Sequence, residues 1–381
     1  MSTLKVNTIS NNGTETDTPQ GFTIASNSIV QGYTESASEP SAEPSEGDIW
    51  WDTTNSVIKR YVNGVWRTIT TAFASSIAWG GDRALIFGGL TTSHWDAIEY
   101  ITISTPSNGT DFGDLSNPRY GMAAAGSASR CIACGGNSSG GPSYQNVIEY
   151  VTPSTPSNVT DFGDLDVGAY TRTAAGNGTR ALIAGGFDSN GTYTLGRRPN
   201  IEYITIATTG NGTDFGDMQH PRSHFGSAAD ATRWLTVGNE SSADGSTADV
   251  DKKIEYVTIA TTGNATTFGN LLVGGAGVIG ASDSTRAIFA GGSGSTESEQ
   301  KIEYVTVQTT GNATDFGELN EEKSRSAAGS NGIRATFAGT NTNSTANAIE
   351  YITIQTTGNG TDFGDLITAR RYTTGASGNA S

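Results

Sequence analysis

Apolar and polar residues alternate through Ile98-Glu99-Tyr100-Ile101-Thr102-Ile103. The alternation puts Ile98 and Tyr100 on one face of a strand and Ile101 and Ile103 on the other. With both faces apolar, the strand reads as part of a sheet packed between two neighbouring sheets. A polar turn and Asp111-Phe112-Gly113-Asp114-Leu115 follow. The pattern returns five more times. The Ile-Glu-Tyr triplet recurs at Ile148, Ile201, Ile254, Ile302 and Ile349, and the Phe-Gly pair at Phe162, Phe215, Phe268, Phe316 and Phe363. Each Phe lies 13 residues after its Glu, and an Arg follows 18 residues later at Arg130, Arg180, Arg233, Arg286 and Arg334. Arg83 begins that series ahead of the first triplet.

Around each Arg run small residues and an apolar β-rich stretch, often ending in Gly-Gly, as in AAAGSASRCIACGG (123–136). One unit of 47 to 53 residues thus contains four strand-like pieces: a small-residue strand, an apolar strand, the Ile-Glu-Tyr strand and the Phe-Gly strand. That is the composition of a propeller blade. The prediction is an all-β, six-bladed β-propeller over 71–381, with repeats near 71–115, 116–165, 166–218, 219–271, 272–319 and 320–366. The stretch 367–381 repeats only the first strand of a unit, so it is expected to close the ring by completing the first blade.

All variation in length falls in one place. From Arg to the next Glu the distance is 16, 19, 22, 22, 17 and 16 residues, while the other two intervals stay constant. Six such loops must emerge on one face of the disc, where repeat proteins usually place recognition. His94, Trp95, Tyr144, Tyr193, Arg197 and Arg198 lie within them and are the candidate ligand contacts. Planar rings that stack on sugars, among polar loops that bond hydroxyls, suit a surface glycan. Glu99, Glu149, Glu202, Glu255, Glu303 and Glu350 recur with Arg83, Arg130, Arg180, Arg233, Arg286 and Arg334. Sixfold repetition argues for structure over catalysis, and the expectation is ion pairs between the two series. Cys131 and Cys134 form a CxxC, yet align with Ala181 and Ala184 on a strand and read as small core residues. No cofactor or metal is implied.

Charge narrows the partners. With 38 acids against 22 bases, a net −16 repels nucleic-acid phosphates and anionic lipid. No apolar run is long enough to span a bilayer, and MSTLKVNTIS lacks the hydrophobic core of a secretory signal. Cytoplasmic synthesis is expected.

Ahead of the repeats, residues 1–33 are polar with scattered β-formers, and 34–47 (TESASEPSAEPSEG) reads as a solvated linker. Residues 48–70 carry three β-rich runs, the last two separated by Asn63-Gly64, the preferred pair of a type I′ hairpin. A three-stranded meander with Trp50 or Trp51 near Trp66 is predicted.

Two resemblances add to this reading. MSTLKVNTIS and GDIWWDTTNSVIKRYVNGVW resemble the N-terminal parts of tail-fibre and related virion proteins of marine bacteriophages. In such proteins the N-terminal segment attaches to the particle and the C-terminal body faces the host. The order Arg119, small strand, Gly135-Gly136, Ile148-Glu149-Tyr150, Phe162 resembles the kelch repeat, with Phe where kelch proteins usually carry Trp. The leading Arg or Lys recurs at Arg222, Lys323 and Arg370, but Ala169 and Gly275 break the series.

Together they imply a non-enzymatic virion structural protein, a tail fibre or tail-associated adhesin. Residues 1–70 would contact other virion proteins, several copies would share a particle, and the variable loops would meet a host-surface polysaccharide. One alternative is a purely structural capping or decoration component. Another is a polysaccharide-cleaving enzyme using carboxylates such as Asp188, Glu240 or Asp244.

Overall fold

In the computed structural model the repeat becomes six four-stranded antiparallel sheets, each running inner, second, third and outer strand in order. The structure describes residues 81–381 apart from 140–141, 189–195, 240–251, 295–298, 340–346 and 381. Of the first 80 it describes 5–7, 21–23, 33–36, 38–40, 44, 48–52, 57–62 and 64–68. Blade 2 is typical, with Ala123–Gly126, Cys131–Cys134, Val147–Val151 and Thr160–Asp164. Blade 1 takes Arg83–Leu90, His94–Thr102 and Thr110–Asp114 from the start of the repeats and its inner strand, Thr374–Gly378, from the far end. The ring is therefore shut by hydrogen bonding between segments nearly 300 residues apart, with Thr374 opposite Phe87 and Gly378 opposite Arg83. It is a six-bladed β-propeller.

Its apolar core is divided. Leu85, Phe87, Ile98 and Phe112 of blade 1 pack on Ala124, Cys131 and Ala133 of blade 2. Ile86, Ile101 and Ile103, from the other face of the same sheet, pack on Ala338, Ile349 and Phe363 of blade 6. Four more such clusters fill the remaining junctions. This explains why both faces of the Ile-Glu-Tyr strand are apolar. Near the axis the inner strands converge, and Ala124, Ala174, Ser227, Gly280, Ala328 and Gly375 line the narrow channel between them. Only small side chains fit there.

The spacings follow from contacts. In every blade the Tyr of Ile-Glu-Tyr meets the following Phe edge-on, with ring centroids 5.8–6.0 Å apart. The Arg of the second strand lies over that Tyr at 4.2–4.7 Å, a cation–π contact. The same guanidinium reaches the next blade. Arg83 donates to the carbonyl of Pro153, Arg130 to Ile206, Arg180 to Ile259, Arg233 to Val307, Arg286 to Ile354, and Arg334 to Ile103 of blade 1. The predicted ion pairs between this Arg series and the Glu series are thus not formed. Backbone carbonyls and the Tyr ring take up the Arg, because the Glu points to the opposite end of the blade.

The polar turn is a clip. Asn158 Oδ1 accepts the N–H of Asp114 in the preceding blade, and Asn211, Asn264, Asn312, Asn359 and Asn108 repeat the contact around the ring. The Gly of Phe-Gly makes room for it. A Cβ on Gly163 would lie 2.5 Å from the carbonyl oxygen of Gly210, and the backbone there has φ of +147°.

The chain divides into two compact units, 1–74 and 75–381. In the first, Val57–Val62 pairs with Ile49–Asp52 and with Val65–Thr68, and Gly64 takes φ of +80° in the hairpin. Trp50 is buried, 5.7 Å from Trp66. Tyr33–Ser36 adds a fourth strand in parallel to Ile49–Asp52, so a strand stands where composition predicts the start of a linker. Its short run is too polar to signal a strand without the partner edge.

Candidate ligand-binding site at the propeller axis

The Glu series builds this site. Glu99 accepts the backbone N–H of Ile367 at 2.8 Å and pairs with Arg370 at 2.9 Å, both on the connection that enters blade 1. Glu149 pairs with Arg119, and Glu350 with Lys323 at 3.5 Å. Glu255 takes Arg222 at 2.8 Å, His220 at 2.9 Å and the N–H of Gln219 at 2.9 Å. In blade 3, where Ala169 breaks the leading-Arg series, Arg172 enters from three residues further on and meets Glu202 at 3.1 Å. In blade 5, where Gly275 breaks it, Glu303 accepts the N–H groups of Leu272 and Val273. Each carboxylate therefore latches the incoming connection just before that connection turns to the axis.

At the turn stand Gly121, Thr171, His224, Gly277, Arg325 and Tyr372, each nine residues after its Phe. All six have left-handed backbone, with φ between 53° and 72°. They form a collar. The N–H of Gly121 donates to Tyr372 O, Thr171 to Gly121 O, His224 to Thr171 O, Gly277 to His224 O and Arg325 to Gly277 O, over 2.5–3.2 Å. Holding this geometry costs a side chain roughly 1–2 kcal/mol, a cost glycine escapes. Four of the six positions nevertheless carry side chains, and strained residues of this kind cluster at ligand clamps.

Those side chains line a cavity of about 100 Å³ at the mouth of the channel. Two of them, His224 and Tyr372, join Tyr120 and Tyr170 in a closed circuit of four rings. Tyr120 lies 5.9 Å from Tyr170, Tyr170 6.1 Å from His224, His224 6.2 Å from Tyr372, and Tyr372 5.3 Å from Tyr120. Arg325 and Arg371 stand over the Tyr372 ring at 5.3 and 5.7 Å. Burial, with the phenols of Tyr372 and Tyr144 nearby, holds the Tyr120 hydroxyl above its usual range, against the pull of Arg371. It remains a neutral donor and acceptor.

Variable loops of three blades feed this cluster. His94 lies 5.0 Å from Tyr120 and bonds Asn137 at 3.2 Å, and Tyr144 stacks flat on Tyr170 at 5.3 Å. Phe187 meets Tyr170 edge-on at 5.7 Å. His94 and Tyr144, predicted from the loops, are thereby brought together. Trp95 is not: its indole N–H donates to Thr91 at 2.9 Å within its own hairpin.

Arg197 and Arg198 are corrections. Both are 6% exposed, with Arg198 paired to Asp188 at 2.7 Å and Arg197 bonded to Ser223 at 3.2 Å. They shape the base of the loop, and the same pair takes up the Asp188 carboxylate, which is fully buried. Tyr193, Glu240 and Asp244 lie outside the described residues.

Cys131 and Cys134 point to opposite faces of their strand, into the junctions with blades 1 and 3, so they cannot form a pair. Burial pushes the Cys134 thiol up to about 12.

Sequence reasoning missed the collar. Its signal was nonetheless available: counting nine from each Phe gives Gly, Thr, His, Gly, Arg and Tyr, the most chemically varied column of an otherwise uniform repeat.

No protein-family model matches the chain, and no curated protein matches it in sequence. Among solved structures it is similar to that of YjhT, with a TM-score of 0.54 and 11% identity. The match covers 73% of this chain and 96% of that one. At such identity the likeness shows the propeller fold alone.

Proposed function

We propose that the chain is a virion structural protein of the tail-fibre kind, whose propeller is an adhesin for a host-surface glycan. The observation that carries the adhesin is the convergence of His94, Tyr144 and Phe187, from three variable loops, on the ring of Tyr120, Tyr170, His224 and Tyr372. Half-buried rings with phenolic and imidazole groups offer stacking area and hydrogen bonds together, the pairing a sugar requires. The virion assignment is supported by the likeness of the first 70 residues to tail-fibre N-termini, and a kelch-type repeat by the order of each unit. Residues 1–70 serve as the attachment part, with several copies on each particle.

The test is binding of the full chain to host cells and to the same cells stripped of surface polysaccharide. Binding should fall at least tenfold on stripped cells, and likewise for a Tyr120→Ala/Tyr170→Ala variant on intact ones. Equal binding to both cell preparations would overturn the reading. Particles that adsorb normally under a bound anti-propeller antibody would favour a capping role instead. Release of reducing ends from the polysaccharide would favour a cleaving enzyme.

A further inference from the structure

Some of the joints between blades carry a reactive dipeptide. The turn that clips a blade to the one before it reads Asn108-Gly109 in blade 1, Asn211-Gly212 in blade 3 and Asn359-Gly360 in blade 6. In the other joints Asn158 is followed by Val159, Asn264 by Ala265 and Asn312 by Ala313. The carboxamide carbon of an asparagine lies within reach of the next residue's backbone nitrogen. A glycine there has no Cβ to shield that nitrogen. Asparagine is for this reason among the thermolabile residues. Asn108, Asn211 and Asn359 are all exposed, so water has access to them.

The closed joint withholds both reacting groups. Asn211 Oδ1 accepts the N–H of Asp164 at 3.0 Å, while the N–H of Gly212 donates to the carbonyl of the same Asp164 at 2.8 Å. Asn359 and Gly360 make this pair of bonds with Glu318, and Asn108 and Gly109 make it with Asp365. The attacking nitrogen is thus turned toward the preceding blade and keeps its proton in a hydrogen bond there. Reaction requires the joint to open first, and folded proteins open locally at free energies below that of global unfolding.

We infer that Asn108, Asn211 and Asn359 are latent deamidation sites, each unmasked when its own joint opens. At Asn211 a bond forms between the Gly212 nitrogen and Cγ, and the bond from Cγ to the carboxamide nitrogen breaks. That nitrogen leaves as ammonia, carrying the proton given up by Gly212. Water then opens the succinimide ring at either carbonyl, leaving aspartate or isoaspartate, with no change of oxidation state. Isoaspartate routes the main chain through Cβ, so the turn gains an atom and the two bonds to Asp164 cannot both re-form. A transient opening is converted into a permanently loosened joint. The Asn108 joint has the widest reach, because it ties the first outer-strand turn of the ring to the last, at Asp365.

The test is peptide mass mapping, with isoaspartate-specific methyl labelling, of the full chain held at mildly alkaline pH with and without denaturant. Unfolded, the three Asn-Gly sites should react at least tenfold faster than in the folded chain and ahead of Asn158, Asn264 and Asn312. Equal rates folded and unfolded overturn the inference. Gly163→Ala, which disturbs the joint of blades 2 and 3, should speed Asn211 at least fivefold and leave Asn359 at the parent rate. Acceleration of both sites, or of neither, overturns control by the individual joint. Should that variant fail to fold, the parent in urea below its transition decides. Joints that open singly give distinct rates at the three sites, and one common rate overturns the inference. Chains bearing isoaspartate, separated by ion exchange, should melt below the parent. Asn211→Asp, which keeps the length of the turn and its acceptor oxygen, should melt close to it. Isoaspartate chains that melt with the parent overturn the permanent loosening.

Discussion

Glu255 and Glu303 hold the same place in successive blades under opposite electrostatics. For Glu255 burial favours the neutral acid, but Arg222, His220 and the N–H of Gln219 outweigh it and the carboxyl is held below 4.5. Its contribution to stability is complete above about 4.5 and is lost as pH falls through the lower folded value. For Glu303 burial wins over two N–H donors and Lys301, and the carboxyl is raised. Its ionisation therefore subtracts stability as pH rises above 4.5 through the folded value. Glu255→Gln should cost about 3–5 kcal/mol at pH 7, since it strands a buried Arg222, with the deficit narrowing below pH ~4.5. Glu303→Gln should stay within about 1 kcal/mol of the parent, because its close contacts are two neutral N–H donors, which the amide oxygen can still accept. Denaturant melts of both variants at pH 4 and pH 7 check this, and equal losses at pH 7 would discard the distinction. Which Glu carries a cation was partly visible in the sequence, where Gly275 interrupts the series of leading Arg and Lys. That Arg172 fills the gap at Ala169 was not, because only the folded turn brings a residue three positions away to the same carboxylate.

At the scale of elements, the outer strand and the next blade's Asn turn act as one joint. Gly163 is extended past the range side chains tolerate, and Gly210 occupies the space a Cβ would need. Gly163→Ala should lower stability by about 1–3 kcal/mol through combined strain and loss of the Asn211 clip. Melting temperature is the readout, and Gly311→Ala, in the equivalent turn of a later blade, with no positive φ and no neighbour within 4 Å of a Cβ, is the internal control for the joint. The loops show the limit of element-level reading. Their lengths marked one face of the disc, and aromatic content selected His94 and Tyr144, which the structure places against Tyr120 and Tyr170. Charge selected Arg197 and Arg198, which the Asp188 and Ser223 contacts withdraw from the surface. An Arg in a loop looks the same in sequence whether it meets solvent or a buried carboxylate.

For the whole molecule, closure is the dominant fact. Thr374–Gly378 supplies blade 1 with its inner strand, and that strand also contacts the inner strands of blades 2 and 6. A chain ending at Leu366 leaves blade 1 with three strands, an open inner edge and Glu99 without Arg370. Its melting transition should broaden or disappear, and a synthetic peptide of residues 367–381 should restore it. A truncated chain that melts like the parent would show that the other five junctions suffice. A ring of repeats distributes its core over six equivalent interfaces, so no blade has an apolar centre of its own and the loss of one strand reaches all its neighbours.

The sequence by itself determined the repeat, the blade count and the closing strand, because these depend on periods and intervals that a linear chain displays directly. It also marked the face from which the loops emerge. Only the tertiary structure decided the partners: that Glu takes the Arg leading into its own blade, that the second-strand Arg takes carbonyls of the next, and that six residues far apart in sequence meet in one collar. Those contacts arise from symmetry about an axis, and the axis exists only once the ring has closed.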